Sequence, residues 1–309
     1  MRIDLKAKPF NLSDVQIKWV NETLASLSVE EKIGQLFTFV TYTDDEKVLE
    51  SFVTKYHVGG VMCRQMQIDH LLNTISMLQK NSEVPLLISA NLEAGARGVC
   101  DEATKAGCQM SIAAGPGPEG AAVLGDICGK EGSALGVNWA FAPVSDIDYN
   151  FRNPITNTRT YGSDPEMVRN CVVNYIKACQ KHGVAATAKH FPGDGCDERD
   201  QHLVSSINDL SCEEWDRTYG EIYRSAIDAG VLTVMTGHIM QPAWSKKLDP
   251  ELKDEDIMPG SLSEELLNGL LRERLGFNGL IVTDATTMAG FSIPMPRSKA
   301  VPYAIAAIA

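Results

Sequence analysis

The stretch "VAATAKHFPGDG", residues 184–195, decides the fold class of this chain. Its first half is an almost continuously apolar run that ends at Lys189 and His190, and its second half is a glycine-rich turn. A short apolar run followed by turn residues is typical of a strand that is buried on both faces of a parallel sheet. Ionisable side chains directly after such a strand indicate a loop at the carboxyl end of the sheet.

Six further runs of the same kind are spread along the chain: "QLFTFV" (35–40), "VGGVM" (58–62), "PLLISA" (85–90), "WAFAPV" (139–144), "VLTVMT" (231–236) and "GLIVTD" (279–284). Helical segments with clear end signals alternate with them. One helix is predicted to begin after Asp164, with Pro165 at its first position, and to end before Gly183. Ser28 and Glu31 have the spacing of a capping box, and "SLSEELLNGLLRERLG" (261–276) predicts another helix. The alternation indicates an α/β fold with a parallel sheet.

Seven strand–helix units favour a (β/α)8 TIM-like barrel over a doubly wound sheet, since no G-x-G-x-x-G motif follows the first strand. The last strand and helix of such a barrel are missing, because "SKAVPYAIAAIA" reads as the helix after strand seven. We therefore expect an N-terminal lead-in over residues 1–20, a barrel domain over 21–309, and a natural chain that continues past Ala309. Two unpaired sheet edges would favour a homodimer.

The composition limits the classes of partner. The 309 residues carry a formal net charge of −12 and no basic run, which argues against nucleic acid and anionic membranes as partners. Eight scattered cysteines without a Cys-x-x-Cys pair indicate free thiols in a reducing compartment, not a zinc site. The N-terminus has no apolar signal segment, and no apolar run approaches the roughly eighteen residues of a membrane span. These features predict a cytoplasmic globular protein that needs no metal or cofactor.

Polar side chains follow five of the seven predicted strands. They lie in "NLEAGARG", "SDIDYNFRNPITNTRTYGSDP", "KHFPGDG", "TGH" and "TDATTM". Polar loops are common after strands, so one such segment alone would mean little. Active sites of (β/α)8 barrels form at the carboxyl ends of the strands, and five such segments together predict an active site there.

Several of these motifs resemble glycoside hydrolase family 3, and its β-N-acetylhexosaminidase branch in particular. The resemblance rests on "EEKIGQLF", "YHVGGVM", "NLEAGARG", "GVNWAFAPVSDID", "NTRTYGSDPEMV", "KHFPGDGCDERDQH" and "VTDATTM", and it covers nearly the whole chain. It implies a barrel domain that binds a small carbohydrate. It also implies retaining hydrolysis of terminal β-linked N-acetylglucosamine, for example on the peptidoglycan fragments of cell wall recycling or on chitin.

The resemblance assigns three catalytic residues. Asp284, in "GLIVTDATTM", corresponds to the family's nucleophile, which forms a covalent glycosyl ester that water then hydrolyses. Asp200 and His202, in "RDQH", correspond to the Asp–His dyad that this branch uses as acid and base. An adjacent carboxylate makes chemical sense, because it orients the imidazole ring and stabilises its protonated form.

The same resemblance predicts substrate contacts from Asn91, Arg159, Lys189 and His190, and it places His238 in the pocket wall. Asn91 departs from the family, which usually has Asp at this position; the exchange keeps one acceptor and loses the charge. The other four residues also have structural interpretations. Arg159 could form a surface ion pair with Asp164, Lys189 a salt bridge with a neighbouring acid, and His238 a helix cap, while His190 could be a satisfied core residue.

Four alternatives remain open at this point. Asp194 stands where the hexosaminidase branch often has His and the β-glucosidase branch often has Asp, so β-glucosidase activity is possible. Relatives with a His acid/base include phosphorylases. Lys189 could be the amine of a Schiff-base aldolase, although that reaction would leave Asp284 unexplained. A non-catalytic sugar-binding protein is the fourth. Glu93 and Arg97 are weaker candidates for the site.

Overall fold

The computed structural model describes residues 3–41, 43 and 45–308, in which strands and helices alternate. In this part of the chain we number nine strands: β1 (Thr38–Val40), β2 (Gly60–Met62), β3 (Leu87–Ala90), β4 (Trp139–Ala140), β5 (Thr187–Phe191), β6 (Ser206–Ile207), β7 (Thr233–Thr236), β8 (Ile239–Met240) and β9 (Leu280–Thr283). Seven of them fall on the seven runs predicted from the sequence. The short strands β6 and β8, which pair with each other, were not predicted.

The helices of the described residues are α1 (Asp14–Ser26), α2 (Val29–Gly34), α3 (Glu46–Thr54), α4 (Ile68–Asn81), α5 (Gln109–Ala114), α6 (Gly117–Ala134), α7 (Pro165–Gln180), α8 (Cys212–Trp215), α9 (Glu221–Asp228), α10 (Pro242–Leu248), α11 (Ala289–Ser292) and α12 (Arg297–Ile308). Two predicted helix starts are confirmed. The Asp164 side chain caps α7 with Pro165 in its first turn, and Ser28 and Glu31 form the capping box of α2. Because α1 runs across residue 20, the chain has no break in secondary structure there.

The segment predicted as a helix over 261–276 differs in its winding. Residues Glu265–Arg274 form a π-helix, as do Asp216–Gly220. In the longer one, Leu266, Leu267, Leu270 and Leu271 are all fully buried. The buried Arg272 side chain donates to the carbonyl oxygens of Phe277 and Gly279, at 2.8 and 2.6 Å. The apolar periodicity therefore located the helix but did not distinguish a π-helix from an α-helix.

The seven main strands are parallel. β1, β2, β3 and β4 pair in that order, and β5, β7 and β9 form a second ladder. Two isolated parallel bridges, Trp139 with Ala185 and Val144 with Lys189, join β4 to β5. The result is one continuous array in the order β1-β2-β3-β4-β5-β7-β9. Within the described ranges no ladder joins β9 back to β1.

A cluster around Trp139 shows that this array curves. Trp139, Phe141 and Met235 pack together, with Met62 of β2 and Val282 of β9 against them. The indole nitrogen of Trp139 donates to the hydroxyls of Thr187 and Thr233, at 3.0 and 2.9 Å. Side chains from strands near opposite ends of the array can meet only if the strands curl around a common interior. The predicted α/β class, with parallel strands in a barrel-like array, is confirmed.

Two larger cores lie between the strands and the helices. One joins β5, β7 and β9 to α7, α9 and the longer π-helix, and the other joins β2 and β3 to α3, α4 and α6. All eight cysteines are free thiols, as predicted, and five of them are buried. None of the helices in the described residues is long and apolar enough to cross a membrane.

Candidate active site

The Pro-Gly-Asp-Gly turn after β5 is held so tightly that only glycine fits at two of its positions. Gly193 has φ +120°, and a Cβ there would meet the Tyr219 ring at 2.3 Å. Gly195 has φ +107°, and its Cβ would lie 1.8 Å from the carbonyl oxygen of Ile147. The Trp215 indole also donates to the Pro192 carbonyl oxygen at 2.7 Å. The turn therefore has one fixed path, which begins directly after β5 and its polar residues Lys189 and His190.

Asp146, just after β4, orients His190. Its carboxylate accepts from the His190 ring Nδ1 at 2.7 Å and from the His190 backbone N–H at 3.0 Å. Asp146 Oδ1, which accepts the His190 backbone N–H, also accepts the backbone N–H of Asp194 at 2.8 Å. Asp146 and His190 are both buried, so the ring has a fixed direction. Its other nitrogen, Nε2, faces Oδ2 of Asp284 at 3.8 Å.

Asp284 follows β9 directly, where its backbone N–H donates to the Thr236 carbonyl oxygen at 2.8 Å. Its side chain remains 19% exposed, and Oδ1 accepts the backbone N–H of Ala285 at 2.7 Å. Burial raises the pKa of Asp284, but His190, His238, the Ala285 backbone N–H and Lys189 together outweigh burial, so the pKa lies below its usual value. The carboxylate is therefore ionised at neutral pH and has one oxygen available to a ligand.

Glu93 holds two of the predicted sugar contacts in place. Its carboxylate accepts from Lys189 Nζ at 2.6 Å and from Arg159 Nε and Nη2 at 2.9 and 2.8 Å. Burial raises the pKa of Glu93, but Lys189 and Arg159 outweigh burial and lower it strongly. Arg159 therefore pairs with Glu93, and the ion pair with Asp164 that the sequence allowed is not formed. The predicted salt bridge of Lys189 with a neighbouring acid is present.

The predicted Asp200–His202 pair is formed in the loop that follows the turn. Asp200 Oδ1 accepts from His202 Nδ1 at 2.7 Å and from the His202 backbone N–H at 2.8 Å. The His202 side chain is 49% exposed, whereas that of Asp200 is 21% exposed. With Nδ1 bound to the carboxylate, Nε2 is the ring nitrogen that remains free to exchange a proton with a ligand.

Gln201, between the two residues of this pair, anchors the loop. Its buried side chain donates to Asp194 Oδ2 at 3.1 Å and accepts the backbone N–H of His238 at 2.7 Å. The Gln201 carbonyl oxygen also accepts the backbone N–H of Gly290, at 3.0 Å. The His202 carbonyl oxygen accepts from Ala289 N, at 2.9 Å. The Asp–His pair is thus fastened to the segment that follows Asp284.

Asp194 lies beneath this loop and has no oxygen free for a sugar. Besides Gln201 it accepts from the Asn153 side chain at 2.9 Å and from the Gly195 backbone N–H at 2.7 Å. Burial, followed by the nearby charge of Asp146, raises the pKa of Asp194 to about 6. The contacts of Asp194 are all structural, and they join the turn to the loop that carries His202.

His238 is fully buried, and both of its ring nitrogens bond within the protein. Nδ1 lies 2.7 Å from the Ser261 hydroxyl, and Nε2 lies 3.1 Å from the Ala285 carbonyl oxygen. Burial lowers the pKa of this imidazole. These contacts place His238 behind Asp284, where it supports the adjacent residue. A direct sugar contact from His238 stays a prediction.

An open cavity of about 570 Å³ gathers several of the predicted residues. Asn91, Arg159 and His202 line it, together with Gln65, Glu93, Ala94, Gly95, Arg97, Gly98 and Lys105. Asp284 and His190 are not part of this lining, but His190 follows Lys189, which binds Glu93 of the lining at 2.6 Å, so the two regions adjoin. Two of the predicted sugar contacts, Asn91 and Arg159, therefore share one cavity with the loop histidine His202, whereas Lys189, His190 and His238 lie outside its lining.

Asp146 and Gln201 were not predicted from the sequence, and Glu93 was predicted only as a weaker candidate. Asp146 stands in "APVSDID" and Gln201 inside "RDQH", both of which carried the resemblance, but neither residue type signals chemistry by itself. A polar residue directly after a buried strand was the available signal for Asp146. For Gln201 the signal was an uncharged polar residue between two catalytic candidates.

Comparison with known proteins agrees with this geometry. The model of the glycosyl hydrolase family 3 N-terminal domain matches residues 28–307. The chain belongs to glycoside hydrolase family 3. Among curated family 3 relatives, a β-N-acetylglucosaminidase/β-glucosidase of Cellulomonas fimi is 55% identical over 305 residues, which are 99% of this chain and 54% of that protein.

Solved structures of family 3 proteins share the fold. The β-glucoside phosphorylase BglX bound to 2FGlc superposes with a TM-score of 0.95 at 47% identity, over 98% of this chain and 55% of that one. A family 3 β-N-acetylglucosaminidase from Paenibacillus sp. str. FPU-7 has a TM-score of 0.83 at 32% identity, over 91% of this chain and 54% of that one. The chain spans about half the length of these relatives.

Proposed function

We propose that the protein is a retaining β-N-acetylglucosaminidase that also accepts β-glucosides. One observation carries the proposal: the loop with Asp200 and His202 is hydrogen-bonded to residues 289 and 290, a few residues beyond Asp284. A carboxylate and an imidazole held by the same short segment provide a nucleophile and a proton donor for one glycosidic bond. The β-glucoside activity is included because the relative from Cellulomonas fimi carries both names.

In the first step, an Asp284 oxygen attacks the anomeric carbon of the sugar while the bond to the leaving oxygen breaks. His202 Nε2 donates its proton to that oxygen, and the Nδ1–H bond to Asp200 stabilises the ring throughout. In the second step His202 takes a proton from water, and the resulting hydroxide oxygen displaces Asp284 from the anomeric carbon. Two displacements restore the β configuration of the product.

The sugar contacts follow from the cavity. Asn91 and Arg159 line it and offer donors and acceptors to hydroxyl groups, while Lys189 lies behind them, paired with Glu93. His190 is directed by Asp146 toward Asp284, where it can contact a sugar hydroxyl beside the nucleophile. A sugar bound here would be fixed by groups on β3, β5 and the loop after β4.

Phosphorolysis is the second candidate function, and the neutral acid/base favours it. An imidazole that has given up its proton carries no charge, so it repels an incoming phosphate less than a carboxylate would. The superposition with the β-glucoside phosphorylase BglX, at a TM-score of 0.95, supports the same candidate. In this reaction phosphate replaces water in the second step.

The test is an assay with aryl β-N-acetylglucosaminide and aryl β-glucoside, each with and without phosphate, with Asp284→Asn as the control. We expect turnover of both substrates, with the acetamido sugar preferred, and no turnover in the variant. Free sugar as the product indicates hydrolysis, and a glycosyl phosphate in the phosphate arm indicates phosphorolysis. A folded wild-type protein that turns over neither substrate contradicts the proposal.

A further inference from the structure

Two cations without an acidic partner line the cavity of the candidate active site. Arg97 and Lys105 are both exposed to this cavity, and no carboxylate within the described ranges pairs with either side chain. The other cation of the lining, Arg159, is bound to Glu93. Neutral sugars such as N-acetylglucosamine and glucose offer no charge that would use two free cations.

The backbone brings these two cations side by side. The segment from Ala94 to Ala106 folds back on itself, with Arg97 N–H donating to Thr104 O at 3.1 Å and Ala106 N–H donating to Ala94 O at 2.8 Å. Glu131 accepts from the backbone N–H and the hydroxyl of Thr104, at 2.9 and 2.5 Å. Thr104, which pairs with Arg97, is therefore held at its N–H, its hydroxyl and its carbonyl oxygen. Lys105 is the next residue along the chain.

The charge of this region is opposite to that of the molecule. The whole chain has a formal net charge of −12, which disfavours anions near its surface. Yet the cavity lining contains the three cations Arg97, Lys105 and Arg159 against one carboxylate, Glu93, which is also bound by Lys189. Two acids near Arg97 and Lys105 in sequence have other hydrogen-bond partners: Asp101 accepts from the side chain of Gln65, and Glu102 accepts from the backbone N–H of Ile68.

The position of His202 indicates which part of the reaction Arg97 and Lys105 would serve. It lines the same cavity, and under the proposed function it protonates the leaving group. The leaving group therefore departs beside His202, and the molecule that attacks in the second step enters at the same place. A group that Arg97 and Lys105 recognise must thus belong to the leaving group or to the acceptor.

We propose that Arg97 and Lys105 form an oxyanion subsite on the leaving-group side of the cavity, for phosphate or for a carboxylate. This inference rests on the proposed function. Phosphate would act as the acceptor: an oxygen of HPO₄²⁻ bonds to the anomeric carbon while the bond from that carbon to Asp284 breaks. The bonding electrons remain on the carboxylate of Asp284. The phosphate proton stays on the glycosyl phosphate and is then lost to solvent, since the second pKa of a phosphate monoester is about 6.

The first arm of the test measures binding without turnover. Inorganic phosphate is titrated by calorimetry into the wild type, Arg97→Ala, Lys105→Ala and the double variant, with Lys253→Ala as the matched control. Lys253 is exposed, lies outside this cavity and also removes one positive charge. We expect phosphate affinity to fall about tenfold in the double variant, because two charge-assisted contacts are lost, and to stay near the wild-type value in the control.

The second arm identifies the source of the anion. The kcat/KM values for phenyl and 4-carboxyphenyl β-N-acetylglucosaminide are compared in the same variants, with and without phosphate. If the anion belongs to the leaving group, the wild type prefers the carboxylated substrate and the double variant loses that preference. If the anion is the acceptor, the KM for phosphate rises about tenfold in the double variant, while hydrolysis of the phenyl glycoside without phosphate changes by less than about threefold.

The outcomes separate this inference from the proposed function. Loss of phosphate affinity or of carboxylate preference in the double variant supports the subsite. Wild-type phosphate binding together with an unchanged substrate preference in the double variant overturns it. If the wild type turns over no glycoside at all, the proposed function fails, and the calorimetric arm still decides whether Arg97 and Lys105 bind an oxyanion.

Discussion

Asp284 and His202 are held by different kinds of support. Asp284 follows the paired strand β9 directly, and the buried residues His190 and His238 lie beside it. His202 lies in a loop, is 49% exposed, and is fastened through Gln201 and two backbone hydrogen bonds. Asp284 thus has a fixed position at the end of β9, whereas His202 can leave its position at the cost of a few hydrogen bonds. Under the proposed function, this arrangement fixes the covalent step and lets the loop admit and release the leaving group.

The largest effect on kcat is expected from replacing Asp284. Asp284→Asn keeps the shape of the side chain but removes the nucleophile, so kcat should fall by about 10³-fold or more with little change in KM. Steady-state kinetics on the aryl N-acetylglucosaminide measure this, and circular dichroism checks the fold. An active Asn variant would exclude Asp284 as the nucleophile.

Replacing the loop histidine should have an effect that depends on the leaving group. His202→Ala removes the proton donor, so the rate of the first step should fall about 10²–10³-fold for a phenyl glycoside. A dinitrophenyl glycoside needs no protonation, and its first step should be nearly unaffected. Pre-steady-state bursts with the two substrates measure the difference. Equal losses for both substrates would mean that His202 does not act as an acid.

Replacing Asp146 tests how far the position of His190 beside Asp284 depends on buried hydrogen bonds. Asp146→Asn keeps only one of the two oxygens that accept from His190 and Asp194, so either the His190 ring Nδ1 or the two backbone N–H groups lose their acceptor. We expect kcat to fall about 10- to 100-fold because the ring beside Asp284 is displaced. Unfolding in urea should show a loss of about 1–3 kcal/mol, since buried donors lose their acceptor. If kcat and the unfolding free energy both stay at wild-type values, Asp146 does not orient His190.

Replacing Gln201 tests the anchor of the loop that carries His202. Gln201→Ala breaks the side-chain bonds to Asp194 and His238, so we expect the loop to open more often and kcat to fall about tenfold. Hydrogen exchange at residues 198–204 should increase at the same time. Leu203→Ala, at a 72% exposed position of the same loop, is the matched control. A Gln201 variant with unchanged exchange in this loop would contradict the anchoring role.

The smallest effect concerns stability and pH. The pKa of Asp194 is raised to about 6 by burial, so between about pH 4 and 6 the folded protein binds more protons at this carboxyl than the unfolded chain does. The contribution of Asp194 to stability is therefore present below about pH 4 and is lost as pH rises through about 6. Relative to Asp194→Asn, the unfolding free energy of the wild type should fall by ~1–3 kcal/mol between pH 4 and 7. Urea titrations at several pH values check this, and parallel curves for the two proteins would contradict it.

The sequence predicted the strands better than the contacts between them. All seven main strands lie on apolar runs, because a strand buried on both faces must be apolar throughout. The Asp200–His202 contact was predictable because both residues lie in one short motif. The contacts of Asp146 with His190 and of Glu93 with Arg159 join residues 44 and 66 positions apart, and no local pattern encodes them. The π-helix was missed because apolar spacing alone does not determine the helical winding.

Glu93 has a consequence for how this sequence can change over time. It is a single carboxylate shared by Lys189 and Arg159, which come from two other parts of the chain. Loss of the acid alone would leave two cations facing each other in a mostly buried place, and loss of either cation would leave Glu93 with a single cationic partner. The three positions are therefore expected to vary together among descendants of this chain, and a mutational path that changes the sugar contact must pass through Glu93.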